Sequence, residues 1–294
     1  MFLYNNMYVT YNYLNPCNIK ELEGIGSQYH KIITLYAVAK KNNLKYIHIP
    51  IPVGHNDNND KEWNNKWDRM FNFKKLSNND EIDINNIDKE FIVDNISFDY
   101  ILNNRNPNKL YFYFHVFKIF DKNPDYYLKD IQDDLINAYD ENNNNRILIY
   151  NKNKINIAIH IRVFNDNDKI CEKIDSYVSS DRNLSIRYYF NCEMYEELIN
   201  KLKLDYPNSD IHIFSQEKYF DIKFKKLRDL ENINIHFDDL DIFDTFNHLC
   251  KADVLVMGLS SLSIVAALYN KSATIIYLPY SSPPYLKSWI EYKK

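Results

Sequence analysis

Ile155-Asn-Ile-Ala-Ile-His160-Ile-Arg162 is the stretch of this chain best suited to chemistry. Apolar residues at 155, 157, 158, 159, 161 and 163 are dense enough for a strand covered on both faces. His160 and Arg162 stand two apart, so both side chains leave the same face near the strand's end. An arginine is seldom buried without an anion, and its planar fork matches the oxygens of a phosphate. In parallel α/β sheets ligands bind beyond the carboxyl ends of the strands, where this pair is expected. Taken alone, the pair reads better as polar residues of an edge strand facing water. Other constellations along the chain change that reading.

Asp253-Val-Leu-Val-Met-Gly258-Leu-Ser260-Ser261-Leu-Ser263 reads as a strand, a tight turn and a helix start. The first turn of a helix has unpaired N–H groups and the positive end of the dipole, so it is a ready anion site. Ser260 by itself reads as an N-cap. Three serines and a glycine on one turn point instead to a phosphate or a ribose. Gly24-Ile-Gly26-Ser27-Gln28 opens an earlier helix, where glycine lets a backbone approach a ligand and Gln28 could hydrogen-bond it. Ile211-His-Ile-Phe-Ser215 ends another strand and brings Ser215 to the same rim. Asp244, in the helix before strand 253–257, reads with equal weight as a surface charge or as a ligand contact.

These residues need sheets to position them. Met7 to Tyr13 is expected as a strand, Glu23 to Gln28 as a turn, and Tyr29 to Lys41 as a helix packed on a sheet. Tyr46 to Ile51 reads as a strand ended by prolines. Residues 54 to 108 are polar and irregular, with one amphipathic helix carrying Trp63, Trp67, Met70 and Phe71. Lys109 to Phe120 reads as a strand and Pro124 to Tyr139 as a helix with its proline near the start. Asp140 to Asn145 is the domain boundary. Beyond it come strand 155–163, a polar loop to Ser185, helix Arg187–Leu204, strand Asp210–Ser215 and helix Tyr219–Leu230. Strand Asn234–Phe237, helix Asp241–Lys251, strand Asp253–Met257, helix Ser260–Tyr269 and strand Ala273–Leu278 complete it. Such alternation predicts a doubly wound parallel sheet, and the whole chain reads as two α/β lobes with a cleft between them.

Composition sets the outer bounds. At 294 residues the chain has room for two domains with separate cores. A net charge of −4 does not suggest a broad grip on nucleic acid. Cys17, Cys171, Cys192 and Cys250 are scattered, which excludes a C-x-x-C zinc site and speaks against a disulfide framework. The first twenty residues contain no signal-like apolar region and no run is long enough to span a membrane, so a soluble, cytoplasmic protein is expected. Asn, Lys, Ile and Tyr, all with AT-rich codons, are abundant; the Asn clusters at 56–60, 78–86 and 141–145 read as solvated loops. Glycine occurs only four times, so each one carries weight.

In this order the motifs resemble fucosyltransferases of the GT-B fold, including the α1,2 and α1,6 enzymes and the protein O-fucosyltransferases. Gly24-Ile-Gly26-Ser27-Gln28-Tyr-His30 is similar to their G-x-G-x-Q segment, His160-Ile-Arg162 to their H-x-R, Phe214-Ser215 to their mid-domain strand end, and Asp253 to Ala267 to their D…SS-x-S segment. The resemblance covers most of 155–278 and a short stretch of the first half. It implies a GT-B-like fold of two Rossmann-like lobes: an acceptor-side domain at 1–145 and a nucleotide-sugar domain at 146–294. It further implies GDP-fucose as donor, Arg162 on the β-phosphate, His160 and Asp244 on the guanosine, and Ser260 and Ser261 on the diphosphate, with Gly24, Gly26, Gln28, Ser215 and Ser263 completing the donor site.

The chain departs from those relatives in two ways. Several carry a second arginine directly after H-x-R, where this chain has Val163; Lys169, Lys173 or Arg182 would have to replace it. The acid that follows H-x-R is also displaced, leaving Asp166, Asp168 and Glu172 as candidates. An inverting transfer needs one carboxylate to deprotonate the acceptor hydroxyl, and Asp166 ranks first for it. No D-x-D stands where it would imply a metal, so none is expected: Arg162 and the helix start would neutralise the departing charge. The expected partners are a nucleotide sugar and a glycan acceptor, with no nucleic acid. The rivals are a transferase using another nucleotide sugar and a non-catalytic nucleotide-sugar or glycan-binding relative.

Overall fold

The computed structural model describes residues 7–11, 24–51, 61–92, 102–103, 106, 108–113, 120, 122–162, 192–216, 220, 224–237, 239–278 and 286–292. The chain divides into two compact units, 1–145 with 284–286, and 146–283 with 287–294. No helix among the described residues is long and apolar enough to cross a membrane.

The first unit is built on a four-stranded, wholly parallel sheet: β1 (Tyr8–Tyr11), β2 (Lys45–Tyr46), β3 (Asp88–Ile92) and β4 (Lys109–Tyr113), in the order β2-β1-β4-β3. Helix α1 (Ile25–Lys41) joins β1 to β2 and is buried along nearly its whole length, as its continuous apolar sequence requires. Parallel pairing of β1 and β2 makes α1 run back against the strands, so Gly24 lies at the carboxyl end of β1. The strand expected over 46–51 is observed at Lys45–Tyr46; past it, on the side away from β1, the His48 amide bonds Ser77 Oγ at 2.8 Å and Asn79 Oδ1 at 2.9 Å. Helix α2 (Lys61–Phe71) turns Trp67 and Phe71 inward, where Phe71 meets Tyr29 of α1 at 3.8 Å between ring centroids. The helix expected over 124–139 is two, α3 (Pro124–Leu128) and α4 (Gln132–Asn143). The break between them aims Asp130 at Lys41, 2.6 Å away, and Asp134 at Tyr36 and Lys40. Edge strand β3 goes unseen in the sequence because Asp88, Lys89 and Glu90 show no alternation.

The second unit holds a six-stranded parallel sheet of β5 (Ile155–His160), β6 (Ser209–Phe214), β7 (Ile233–His236), β8 (Val254–Met257), β9 (Thr274–Tyr277) and β10 (Ile290–Glu291). Its order, β10-β9-β8-β5-β6-β7, is that of a doubly wound dinucleotide-type sheet. On one face Ile157, Ile159, Ile211, Ile213, Val254 and Val256 pack with helix α5 (Cys192–Asp205) through Met194, Tyr195, Leu198, Ile199 and Leu202. Helices α6 (Ile242–Lys251) and α7 (Ser261–Tyr269) pack against each other and against β5 and β8 respectively. Strand alternation assigns the faces: odd residues of β5 meet α5, and Ala158 and His160 point the other way. Of the helix expected over 219–230 the described residues show a 3₁₀ helix at Lys225–Asp229. Residues 187–191 of the expected helix 187–204 lie outside the described set. Cys192 and Cys250 are buried free thiols; Cys17 and Cys171 lie outside the described residues.

Candidate functional site

Strands β5 and β8 lie side by side, and the chain leaves them in opposite directions, β5 toward β6 and β8 toward β9. The space beyond their carboxyl ends is therefore the switch point at which parallel α/β sheets bind ligands. His160 closes β5 and Gly258 follows β8. A Cβ built on Gly258 would lie 2.3 Å from the His160 carbonyl oxygen and 3.2 Å from its Nδ1, so only glycine fits. Close approach, not a left-handed backbone, explains this glycine, since no described glycine has a positive φ.

His160 is 8% exposed, and its Nδ1 has no hydrogen-bond partner among the described residues. Burial, with the Arg162 charge second, lowers its pKa to about 3, so the ring is neutral near pH 7. That nitrogen is buried against Gly258. Two residues on, Arg162 is exposed and its Nη1 donates to Gln216 Oε1 at 2.9 Å. Ser215 reaches the rim as expected, but its hydroxyl donates to the Ile161 carbonyl at 2.9 Å and its amide to His236 O at 3.1 Å. It ties β5, β6 and β7 together at their ends.

The three serines of the helix start divide by role. Ser260 caps α7, its Oγ accepting from the Leu262 amide at 3.3 Å. Ser263 is fully buried and donates to Gly258 O at 3.1 Å and Ser260 O at 2.9 Å, which locks the turn. Ser261, half-buried at the first helical position, is the serine whose hydroxyl is not taken up locally.

Because β7 and β8 are parallel members of one sheet, α6 runs from the carboxyl rim to the opposite end, and its first turn sits at the same rim. Asp241 caps it, Oδ1 accepting from the Asp244 amide at 2.7 Å. Asp244 Oδ1 accepts from Arg146 Nη1 at 2.6 Å. Below it, His248 Nδ1–H donates to Asp244 O at 2.6 Å, while Nε2 accepts from the Ile149 amide at 3.0 Å. Tyr150 OH donates to His248 O at 2.8 Å. These bonds require a neutral His248, and burial lowers its pKa accordingly.

A second ordered chain of polar groups runs inward from this rim. Asp239 Oδ2 accepts from His236 Nδ1 at 2.9 Å, and His236 Nε2 faces His212 Nδ1 at 3.0 Å. His212 Nε2 is buried with no hydrogen-bond partner among the described residues. Burial, with His236 second, lowers the His212 pKa to about 4.

The structure thus brings His160, Arg162, Ser215, Asp244, Ser260, Ser261 and Ser263 to one rim. Gly24, Gly26 and Gln28 form the first turn of α1 in the first unit: Gly24 is the exposed cap, whereas Gly26 and Gln28 are buried in the helix. A Cβ on Gly24 would meet nothing within 4 Å, so the local fold does not require glycine there. Asp166, Asp168, Glu172, Lys169, Lys173, Arg182 and Val163 lie outside the described residues. Sequence reasoning passed over Arg146, Gln216, His236 and Asp239. Only Gln216, directly after Ser215, carried a signal that could have found it. Among the described residues no three His, Cys, Asp or Glu side chains are grouped to hold a metal ion.

No protein-family profile matches the chain, and neither does any curated protein. Solved structures do. The chain is similar to apo POFUT1 at 13% identity and a TM-score of 0.49, over 95% of this chain and 99% of that one. For POFUT1 in complex with GDP-fucose the figures are 12% identity, a TM-score of 0.49, and 92% and 97% coverage. For POFUT1 in complex with GDP they are 13%, 0.48, and 95% and 99%. Likeness at this level decides neither family nor activity.

Proposed function

We propose that this chain is a glycosyltransferase that binds a nucleotide sugar, GDP-fucose in the first instance, at the carboxyl rim of its second unit and transfers the sugar with inversion to a glycan hydroxyl. One observation carries the reading: at the β5–β8 switch point His160 packs directly against Gly258, which opens the serine turn of α7, and Arg162 leaves β5 two residues on at the same rim. A guanidinium and a helix start on one rim suit a diphosphate, the first as a bidentate partner, the second through its free donors. In this reading Arg162 holds the β-phosphate, the Ser261 amide and hydroxyl hold the second phosphate, and Ser260 and Ser263 keep the turn in shape. His160 and Asp244 face the nucleoside.

The reaction breaks the bond between the sugar's anomeric carbon and the β-phosphate oxygen while the acceptor oxygen bonds that carbon from the opposite side. GDP departs with the electron pair of the broken bond, and the acceptor proton passes to a carboxylate, for which Asp166 is the candidate. Charge grows on the diphosphate as the bond breaks, so Arg162 and the α7 start bind the transition state more tightly than the ground state and supply the neutralisation a metal would otherwise provide. A second reading, a non-catalytic nucleotide-sugar-binding relative, draws on Val163 standing where the resembling enzymes have another arginine. Melting curves with GDP, UDP, ADP and CMP, followed by GDP release from GDP-fucose with an acceptor glycan, separate them. GDP should raise the melting temperature most, since a ligand that binds only the native state stabilises it. Equal shifts for all four would remove the GDP-fucose assignment. A GDP-specific shift without turnover would favour the binding protein.

A further inference from the structure

Residues 146–150 lie along α6 as a short strap and hold one residue of that helix, Asp244, in two ways. Arg146 grips its side chain, Nη1 to Oδ1 at 2.6 Å, with the two side chains 31% and 36% exposed. Its carbonyl is held indirectly: Ile149 N–H bonds His248 Nε2, which fixes the ring proton on Nδ1, and Nδ1–H donates to Asp244 O at 2.6 Å. Tyr150 OH closes the loop on His248 O. Asp241 takes the Asp244 amide, so backbone N–H, backbone C=O and one carboxylate oxygen are all engaged. Asp244 Oδ2 has no partner among the described residues, and the first turn of α6 that carries it sits at the carboxyl rim of the sheet.

An ordinary exposed ion pair is worth little and holds its partners loosely. This one is different in construction, because the same strap fixes the carboxylate and the peptide beneath it. A carboxylate so held presents a single acceptor oxygen in one direction. Through its two lone pairs that oxygen can accept from the adjacent N1–H and N2–H of guanine, whereas uracil offers one N–H between two carbonyl oxygens that repel it and adenine has no ring N–H on that edge.

We infer that Arg146 is the positioning residue for base selection: by holding Asp244 Oδ1 it aims Oδ2 at the donor edge of the base. The inference rests on the nucleotide-sugar reading above and adds to it a residue outside every recognised motif. Arg146 need not touch the nucleotide. Its effect runs through Asp244.

The test is a double-mutant cycle on the full chain, with GDP and UDP affinities measured by calorimetry for the parent, Arg146→Met, Asp244→Asn and the double variant, and melting curves alongside. Each single change is expected to weaken GDP binding roughly tenfold or more, the scale of one charge-assisted hydrogen bond, while UDP binding stays the same. The double variant should bind GDP no more weakly than the weaker single variant, since both changes remove one interaction. GDP preference retained in Arg146→Met overturns the inference alone. Losses that add in the double variant overturn it too, because Arg146 would then act independently of Asp244. A parent protein that binds GDP and UDP equally overturns the donor reading and the inference with it. If Arg146→Met does not fold, Arg146→Gln replaces it in the cycle and is read by the same outcomes.

Discussion

A methyl group at position 258 would meet the His160 backbone at 2.3 Å, and a backbone cannot swing aside as a side chain can. Gly258→Ala is therefore expected to destabilise the second unit by about 1–3 kcal/mol, the range for overpacking, and to shift the urea midpoint accordingly. A parent-like midpoint would mean β5 and β8 yield freely at their ends. Ser261→Ala should leave that midpoint unchanged and weaken nucleotide binding by about 0.5–1.5 kcal/mol, one ordinary hydrogen bond. Ser263→Ala should act through stability, because its hydroxyl bonds only the turn. Arg162→Lys keeps the charge and loses the fork, so turnover by GDP release should fall by about 10²-fold with an unchanged melting curve. Near-normal turnover would sink its role on the leaving diphosphate. At this scale the sequence shows what lies within one motif: His160 with Arg162, and the serines with Gly258. It could not separate Ser261 from Ser263, because both stand on the same turn and only their hydrogen bonds differ. Arg146 and Asp239 were invisible for another reason. Arg146 finds its partner 98 positions away, and the Asp239–His236 pair acquires its meaning from His212, 24 positions before His236.

Elements were legible where their apolar pattern was strong. β6, β8, α6 and α7 fall within one residue of expectation and β5 starts where expected but ends three residues earlier, because buried strands and packed helices must be apolar on known periods. Strand β3 has no such pattern, and β10 is two residues long. Beyond β2 the chain is held by Ser77 and Asn79, whose reach back to His48 no local rule predicts. The strap is of the same kind: residues 147–150 have no regular structure, yet Ile149 and Tyr150 bond His248 in the last turn of α6, and His248 in turn holds the Asp244 carbonyl. Ile149→Pro removes the amide that bonds His248 and also stiffens the strap at that residue. Leaving that buried nitrogen unsatisfied should lower stability by about 1–3 kcal/mol and speed hydrogen exchange in the first turn of α6. Unchanged exchange there would mean that the strap does not hold the helix.

Three imidazoles, His30, His160 and His212, are buried neutral, with burial lowering their pKa values to about 4, 3 and 4 from an ordinary 6.5. The unfolded chain then binds more protons than the folded one between pH 6.5 and those values, so stability is full above about pH 6.5 and is lost as pH falls toward 4 and then 3. The urea midpoint should drop measurably from pH 7.5 to pH 5. A flat profile would mean that these rings are charged or hydrated in the native protein. The order of the second sheet has a further consequence, for the chain as it is being made. β5 is central, flanked by β6 on one side and β8 on the other. Synthesis proceeds at about 5–20 residues per second, so β6 emerges seconds before β8. Throughout that interval the nascent chain exposes one edge of Ile-Asn-Ile-Ala-Ile-His, an apolar row of unpaired amides and carbonyls open to any passing strand. A stalled or truncated chain ending at Ala252 should therefore self-associate on the ribosome or after release, and adding residues 253–269, which carry β8 and α7, should suppress light scattering by covering that edge from its own side.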